Sequence, residues 1–351
     1  MLAFSTILFN LAVSVHAFAQ SSMPASASQA VILQYHHIST ATPPVTSTSP
    51  EDFRRHMDYL AANNFTILPL EEILSSLQNN EELPDFSAAI TFDDAYLSVY
   101  TEALPILREY NWPFTIFVTT GLLESNPRLY ASWDQIREMA EAGATIANHT
   151  VSHPYFLERM NTETESDWLQ RIRNEISQAE DEILRETGQS HRLLAYPYGE
   201  YDPLIQKLVS DLGFIGIGQH SGPINASSDF TALPRFPFSG IYVSMNTFPN
   251  KVRSLAFTLD ALEPVSPVTT ESSPSAEIDF SAGSIGLQQL ACYNNNDAIQ
   301  VQMLDERELR FLVTTPIENR SRRFRYNCTA PAGNGRYYWL SIPWVNPSIP
   351  E

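Results

Sequence analysis

The chain has 351 residues, enough for one sizeable domain and a smaller companion, and its 43% hydrophobic and 17% charged residues make a globular balance rather than a disordered one. The 40 acidic residues against 21 basic ones give a formal charge of −19, and only Lys207 and Lys251 are lysines. Such a surface repels phosphate backbones and anionic lipid, which excludes nucleic-acid binders and basic membrane-surface proteins.

Leu2 to Ala19 carries no charged side chain and ends in Ala17-Phe18-Ala19, a small-x-small cleavage pattern. Residues 1–19 therefore read as an export signal, and the mature chain as periplasmic or extracellular. Asn10 and His16 make the segment a poor membrane span, and no later stretch is apolar enough for one, so no span is expected in the mature chain. Cys292 and Cys328 are the only cysteines. In an oxidising compartment a bridge between them is worth roughly 3–4 kcal/mol on the chain-entropy account; two unpaired buried thiols are the alternative.

From Ala30 onward, strand and helix patterns alternate. Ala30–Tyr35 reads as a strand, and Ser49-Pro50-Glu51-Asp52 as the start of a helix reaching Asn63. Phe65–Leu68 follows as a strand, Leu70–Leu77 as a helix, Ala88–Phe92 as a buried strand, Leu97–Tyr110 as a helix and Phe114–Val118 as a strand. Next come a helix Ser132–Ala142 closed by Gly143, a strand Ala144–Asn148 and a long helix Thr164–Thr187 ended by Gly188. Leu193–Tyr196, Phe214–Gly218 and Ala232–Phe236 complete the strands, with a helix Pro203–Leu212 between the first two. This alternation predicts an α/β fold, a parallel sheet or (β/α) barrel covered by helices.

The pattern breaks near residue 262. Residues 262–275 carry Pro264, Pro267 and Pro274 among Ser, Thr and Glu, a linker composition, and residues 276–351 show only short β-type runs between turn signals. The expected organisation is a signal at 1–19, a catalytic domain at 30–261, a linker at 262–275 and a small all-β domain with one disulfide at 276–351. The aromatics Tyr337, Tyr338, Trp339 and Trp344 suit either sugar stacking or an ordinary β core.

Three segments at strand ends can carry chemistry. Asp93 and Asp94 are adjacent carboxylates leaving a buried strand, costly unless a cation or hydrogen bonds hold them; a helix cap is the plainer reading. His149 and His153 are four apart, a spacing at which two imidazoles on one side of a helical turn grip one ion. With a strand-end carboxylate they make a two-His, one-carboxylate set of the hydrolytic kind. Tyr196-Pro197-Tyr198-Gly199 sets an unusual loop path that can aim a backbone N–H at a substrate oxygen.

Thr91-Phe-Asp-Asp94, His149-x-x-x-His153 and Pro197-Tyr-Gly199, in that order, resemble the polysaccharide deacetylases of carbohydrate esterase family four (NodB-like domains). The resemblance spans roughly residues 30 to 260. It implies a distorted (β/α) barrel that removes acetyl groups from N-acetylated polysaccharide with a divalent metal, zinc by default, cobalt or nickel also fitting. It further implies Asp93 as general base, Asp94, His149 and His153 as metal ligands, and the Tyr198 N–H, in the turn begun by Pro197, as oxyanion donor. Three departures matter: Ala95 stands where the family has Gly, the Arg before Pro-Tyr-Gly is absent, and the late Leu-x-His motif is missing. Arg235 is the expected replacement for the Arg. In a closed barrel the first strand neighbours the last, so His36 can stand in for the missing acid, as in the branch of poly-N-acetylglucosamine deacetylases; His220 is the rival. His37 is expected to be structural by strand alternation, and His56 and His191 to face solvent. O-acetyl esterase action on xylan and an inactive glycan-binding protein are the competing functions.

Overall fold

The computed structural model describes residues 28–123, 125–282 and 284–350; the expected export signal lies outside them. Two sheets organise the chain. The first is built on parallel strands in the order Gln29–Tyr35, Ser87–Asp93, Phe114–Val118, Ala144–Asn148, Leu193–Ala195 and Ile215–Ile217. It curls until its edges meet through one segment: Leu233 bridges to Ile217, and Phe236–Pro237 pair with Leu33–Gln34. This is the distorted barrel that the family resemblance implies, and one of the two architectures that the alternating pattern allows.

Its strands are apolar on both faces because both are covered. Along the first two, Val31, Leu33, Tyr35, Ala88, Ile90 and Phe92 join the core formed with helices Pro50–Ala62 and Trp133–Glu141. The alternate residues Ala30, Ile32 and Ala89 join an inner core with helix Leu70–Gln78 and Ala147, Ala195 and Ile217. Strand parity then carries Gln34, His36, Thr91, Asp93 and His149 to that inner side, at the carboxyl ends of their strands.

Local signals place the helix ends. Ser49 accepts a hydrogen bond from Asp52 N, and Ser132 with Gln135 and Thr164 with Asp167 form capping boxes. Gly188, at φ 72°, ends the 23-residue helix Glu165–Thr187. No helix among the described residues is long and apolar enough to cross a membrane.

Several expectations need correction. Only Phe236–Pro237 and a single bridge at Leu233 replace the predicted strand Ala232–Phe236, since Pro234 has no N–H to give a ladder. The helix predicted from Leu97 opens with a wide π turn over Val99–Ala103, and Pro105 brings no N–H to the α-helical Leu104–Tyr110. Pro223–Asn225, which has no alternating signature, pairs antiparallel with Gln29–Val31.

The second sheet has the order Leu255–Ala256, Arg336–Val345, Arg323–Gly333, Ala291–Asn294, Asp297–Asp305, Arg310–Thr314, Ala276–Phe280 and Leu259–Glu263. It takes in Leu255–Ala256 and Leu259–Glu263, which begin before residue 262, the second running into the stretch with a linker composition. Cys292 and Cys328 face each other on neighbouring strands and form the disulfide. Tyr326, Trp344, Phe280 and Phe311 fill the core around it.

Candidate active site

The strand Ser87–Asp93 is wholly buried and delivers Asp93 to the inner side at its last position. Arg235, itself fully buried, meets that carboxylate with both arms of its guanidinium, Nη1 to Oδ1 at 2.7 Å and Nη2 to Oδ2 at 2.8 Å. Gln34 Nε2 adds a bond to Oδ2 at 2.8 Å, and Arg235 also donates to Thr91 Oγ1 and to the Gly218 carbonyl. Burial alone would raise the Asp93 carboxyl, but the Arg235 guanidinium holds it well below the usual carboxylate range. A residue some 140 positions downstream thus keeps Asp93 ionised.

The chain then turns sharply. Asp94 and Ala95 lie at φ 70° and 54°, left-handed conformations that non-glycine residues rarely adopt. That requirement accounts for the Gly that the resembling family has at position 95. The turn swings Asp94 away from Asp93, toward His149 and His153. One ligand atom from each of Asp94, His149 and His153 lies within 4.8 Å of the others, and both histidine Nε2 atoms are 3.5 Å from Asp94 Oδ1.

The two histidines do not share a helical turn. They sit in an irregular loop with Thr150 at φ 70° and His153 at φ 56°. The loop is held from outside. Glu175 accepts from Val151 N, Ser152 N and Ser152 Oγ, while Asn148, anchored by Glu180 and the Ile176 carbonyl, accepts from Thr150 N. These supports on the long helix escape a motif-based reading, because nothing in the local sequence ties residue 175 to residue 151.

The ligand set passes a direct test of fit. His149 donates from Nδ1 to the Ala195 carbonyl at 2.8 Å, which turns Nε2 toward Asp94. That Nε2 is buried and has no hydrogen-bond partner, an expensive state for a polar atom unless a metal takes its lone pair. Burial lowers the pKa of His149 to about 3 and of His153 to about 4, so both rings are neutral at pH 7. Burial, reinforced by the Asp93 charge, pushes Asp94 up to about 6. Two neutral imidazoles and a carboxylate lacking a cation of its own are the donors a divalent ion takes.

His36 follows the first strand, with Nε2 3.8 Å from Asp93 Oδ2 and its side chain 16% exposed. His220 is not brought to this group. Its Nδ1 is buried and unpartnered against Gly218, and its ring lines a cavity of about 330 Å³ shared with Trp339 and Ser341 of the second sheet and with Phe257 of that sheet's core. His37 is buried and stacked on Tyr96 at 3.5 Å. His56 does not face solvent. It is fully buried, with Nδ1 2.9 Å from Tyr35 Oη and Nε2 2.8 Å from the Val243 carbonyl, because the polar face expected for its helix is covered by the chain around Val243 and Phe248. His191 is half-buried.

Pro197–Gly199 forms a 3-10 turn with Tyr198 at φ 58° and ψ 2°. The Tyr198 ring packs edge-on against His153 at 4.4 Å and stacks on Tyr155 at 3.8 Å. The floor of the site therefore gathers a buried carboxylate, an Asp-His-His cluster and a left-handed backbone turn from the ends of three strands, Ser87–Asp93, Ala144–Asn148 and Leu193–Ala195.

Residues 80–217 match the family model for polysaccharide deacetylase. The poly-β-1,6-N-acetyl-D-glucosamine N-deacetylase of Escherichia coli (strain K12) is 24% identical over 217 residues, which cover 52% of this chain and 32% of that protein. The enzyme of the same name from Staphylococcus epidermidis is 27% identical over 158 residues, 44% of this chain and 54% of that protein. The chain thus spans between a third and about half of the length of these two relatives. The solved structure of the Streptococcus pyogenes deacetylase PplD in complex with acetate aligns with a TM-score of 0.56 at 25% identity, over 62% of this chain and 95% of that one.

Proposed function

We propose that this chain, whose residues 80–217 match the polysaccharide deacetylase family, hydrolyses the acetamide groups of an N-acetylglucosamine polysaccharide. The observation that carries the proposal is the Asp94–His149–His153 cluster, with its buried unpartnered Nε2, beside an Asp93 kept ionised by Arg235. Asp94, His149 and His153 would hold the metal, zinc by default. When bound, it supplies Lewis acidity to a carbonyl oxygen and acidifies water.

The protein's own groups account for the proton movements. Asp93 accepts the proton of the water whose oxygen attacks the acetamide carbon. The Tyr198 N–H, held out by the left-handed turn, donates to the oxyanion that develops. His36 donates a proton to the nitrogen as the C–N bond breaks, leaving an amine and acetate. His36 is preferred to His220 because it stands over the Asp93 carboxylate, whereas His220 faces the second sheet. The chemistry is assigned to the first sheet, within the unit read as residues 30–261, and the second sheet, read as residues 276–351 with earlier strands, supports it. Residues 1–19 and the disulfide support export.

Acetate release tests this directly. With zinc added, oligomers of β-1,6-linked N-acetylglucosamine should yield acetate and free amine, a chelator should stop the reaction, and acetylated xylan should be a poor substrate. Release from xylan alone would replace the amide by an ester substrate. No release from any acetylated glycan in the zinc-loaded protein would overturn the hydrolase reading.

A further inference from the structure

Glu200 directly follows the Tyr198 turn, and its carboxylate is fully buried. Its partners come from the other sheet. Arg322 donates from Nε and Nη2 to the two Glu200 oxygens at 2.6 and 2.9 Å, and Arg323 donates from Nη1 to Oε1 at 2.8 Å. Arg322, 3% exposed at its side chain, also donates from Nη1 to the Pro347 and Ile349 carbonyls, so the pair ties down the C-terminal segment too. A third arginine of this segment, Arg325 of the strand Arg323–Gly333, donates to the carbonyl of Gln219, the residue packed on Gly199 so closely that a Cβ there would lie 2.8 Å from the Gln219 side chain.

The rings continue the connection. The Arg322 guanidinium lies 4.7 Å from the centre of the Tyr155 ring, Tyr155 stacks on Tyr198, and Tyr198 abuts His153. Arg323 lies 5.3 Å from the Tyr198 ring. A continuous column thus runs from the second sheet to a residue of the metal cluster. The aligned deacetylase is 95% covered by 62% of this chain, so more than a third of the chain lies outside that likeness.

We propose that the second sheet is a built part of the catalytic centre, with Arg323, backed by Arg322 and Glu200, a positioning residue that holds the Tyr198 turn left-handed and aims its N–H at the substrate carbonyl. The inference rests on the oxyanion role given to Tyr198 above. A non-glycine residue persists at φ 58° only when its surroundings over-determine it, and three charge-assisted bonds on Glu200, two residues on, together with the Tyr155 and His153 rings against Tyr198 supply that constraint. A displaced donor loses its effect steeply, because its value depends on standing where the oxyanion forms.

The test uses full-length, zinc-loaded protein carrying Arg323→Ala, Arg323→Lys or Arg322→Lys, with Arg320→Ala, on the exposed approach to the same strand, as control. Arg323 is the main target because its side chain is 31% exposed and the variant should fold. Arg323→Ala should lower kcat on N-acetylglucosamine oligomers by about 10- to 100-fold, leave KM and zinc stoichiometry near wild type, and be partly rescued by Arg323→Lys. Hydrogen exchange gives an arm independent of turnover: the Gly199 and Glu200 amides, bonded to the Tyr196 and Pro197 carbonyls, should exchange faster in Arg323→Ala and Arg322→Lys. Wild-type kcat and exchange in both variants, or the same loss in Arg320→Ala, overturns the proposal. Should the wild-type protein release no acetate, the deacetylase reading falls while the exchange arm still decides whether Arg322 and Arg323 hold the turn.

Discussion

The strand ends of the first sheet and the hairpins of the second treat their backbones differently. In the first, five left-handed non-glycine residues sit in the motif segments, Asp94, Ala95, Thr150, His153 and Tyr198, with others such as Phe86 and Arg192 just ahead of strands. In the second, Asn295, Leu309 and Asn334 lie in turns between paired antiparallel strands, where such geometry is ordinary. Buried charge divides similarly. The second sheet has an apolar core and a disulfide, and the buried atoms it leaves without a partner, on Asn294, Trp339, Ser341 and Trp344, belong to neutral groups, while the inner face of the first holds an ionised carboxylate on a fully buried guanidinium beside the unpartnered His149 Nε2. Left-handed motif residues beside a desolvated charge and an unpartnered imidazole mark where the molecule departs from stability for chemistry.

Removing a ligand should have the largest effect and sharpen this contrast. Asp94→Ala or His149→Ala should lose bound zinc and reduce deacetylation by about 1000-fold or more, while urea unfolding stays near wild type, since no apolar core is lost. Metal analysis with acetate release checks this; a variant retaining both zinc and activity breaks it. Next comes Arg235→Met, which strands Asp93 in a dry site and should cost roughly 3–5 kcal/mol of stability by urea denaturation, with a rise in the pH at which activity appears.

Much of this site was legible in the sequence. Strand parity, the aspartate pair and the histidine spacing bring Asp93, Asp94, His149 and His153 to strand ends, because buried strands fix which side each residue faces. What was not legible depends on contacts far apart along the chain. The grip of Glu175 on Val151 and Ser152 and the bonds of Arg322 and Arg323 to Glu200 arise only once distant elements pack. His56 was misread because a helix face polar in sequence became interior when residues around Val243 covered it. The first strands of the second sheet are not legible because Leu255–Ala256 is only two residues long, inside the stretch read as the catalytic domain, and Leu259–Glu263 runs into the proline-rich stretch that reads as a linker.

Two tests separate the sheets further. Replacing both Cys292 and Cys328 with Ala should cost about 2–4 kcal/mol and leave zinc stoichiometry unchanged, because the bridge lies within the second sheet's core. Equal loss of zinc would show that the two sheets are coupled beyond the Glu200 contacts. On the first sheet, burial lowers His56 to about 4 in the folded protein against about 6.5 unfolded. The unfolded chain therefore binds the extra proton first, so the stability from a neutral His56 is intact above pH ~6.5 and is lost as pH falls toward 4, by roughly 3 kcal/mol at most. Urea midpoints across that window should show the slope, and it should shrink in His56→Phe.

The smallest expected effect concerns Ala95, buried at φ 54°. Ala95→Gly should relieve the left-handed backbone and raise stability by about 0.5–1 kcal/mol with metal binding retained. A loss of stability would mean that the methyl group's packing outweighs the strain.

The central claim, that one cation is shared by Asp94, His149 and His153, is tested most directly by anomalous diffraction from crystals soaked in zinc. One peak is predicted about 2.0–2.2 Å from an Asp94 carboxylate oxygen and from Nε2 of both histidines. Saturating zinc that leaves this position empty, or a peak held by other residues, would contradict it.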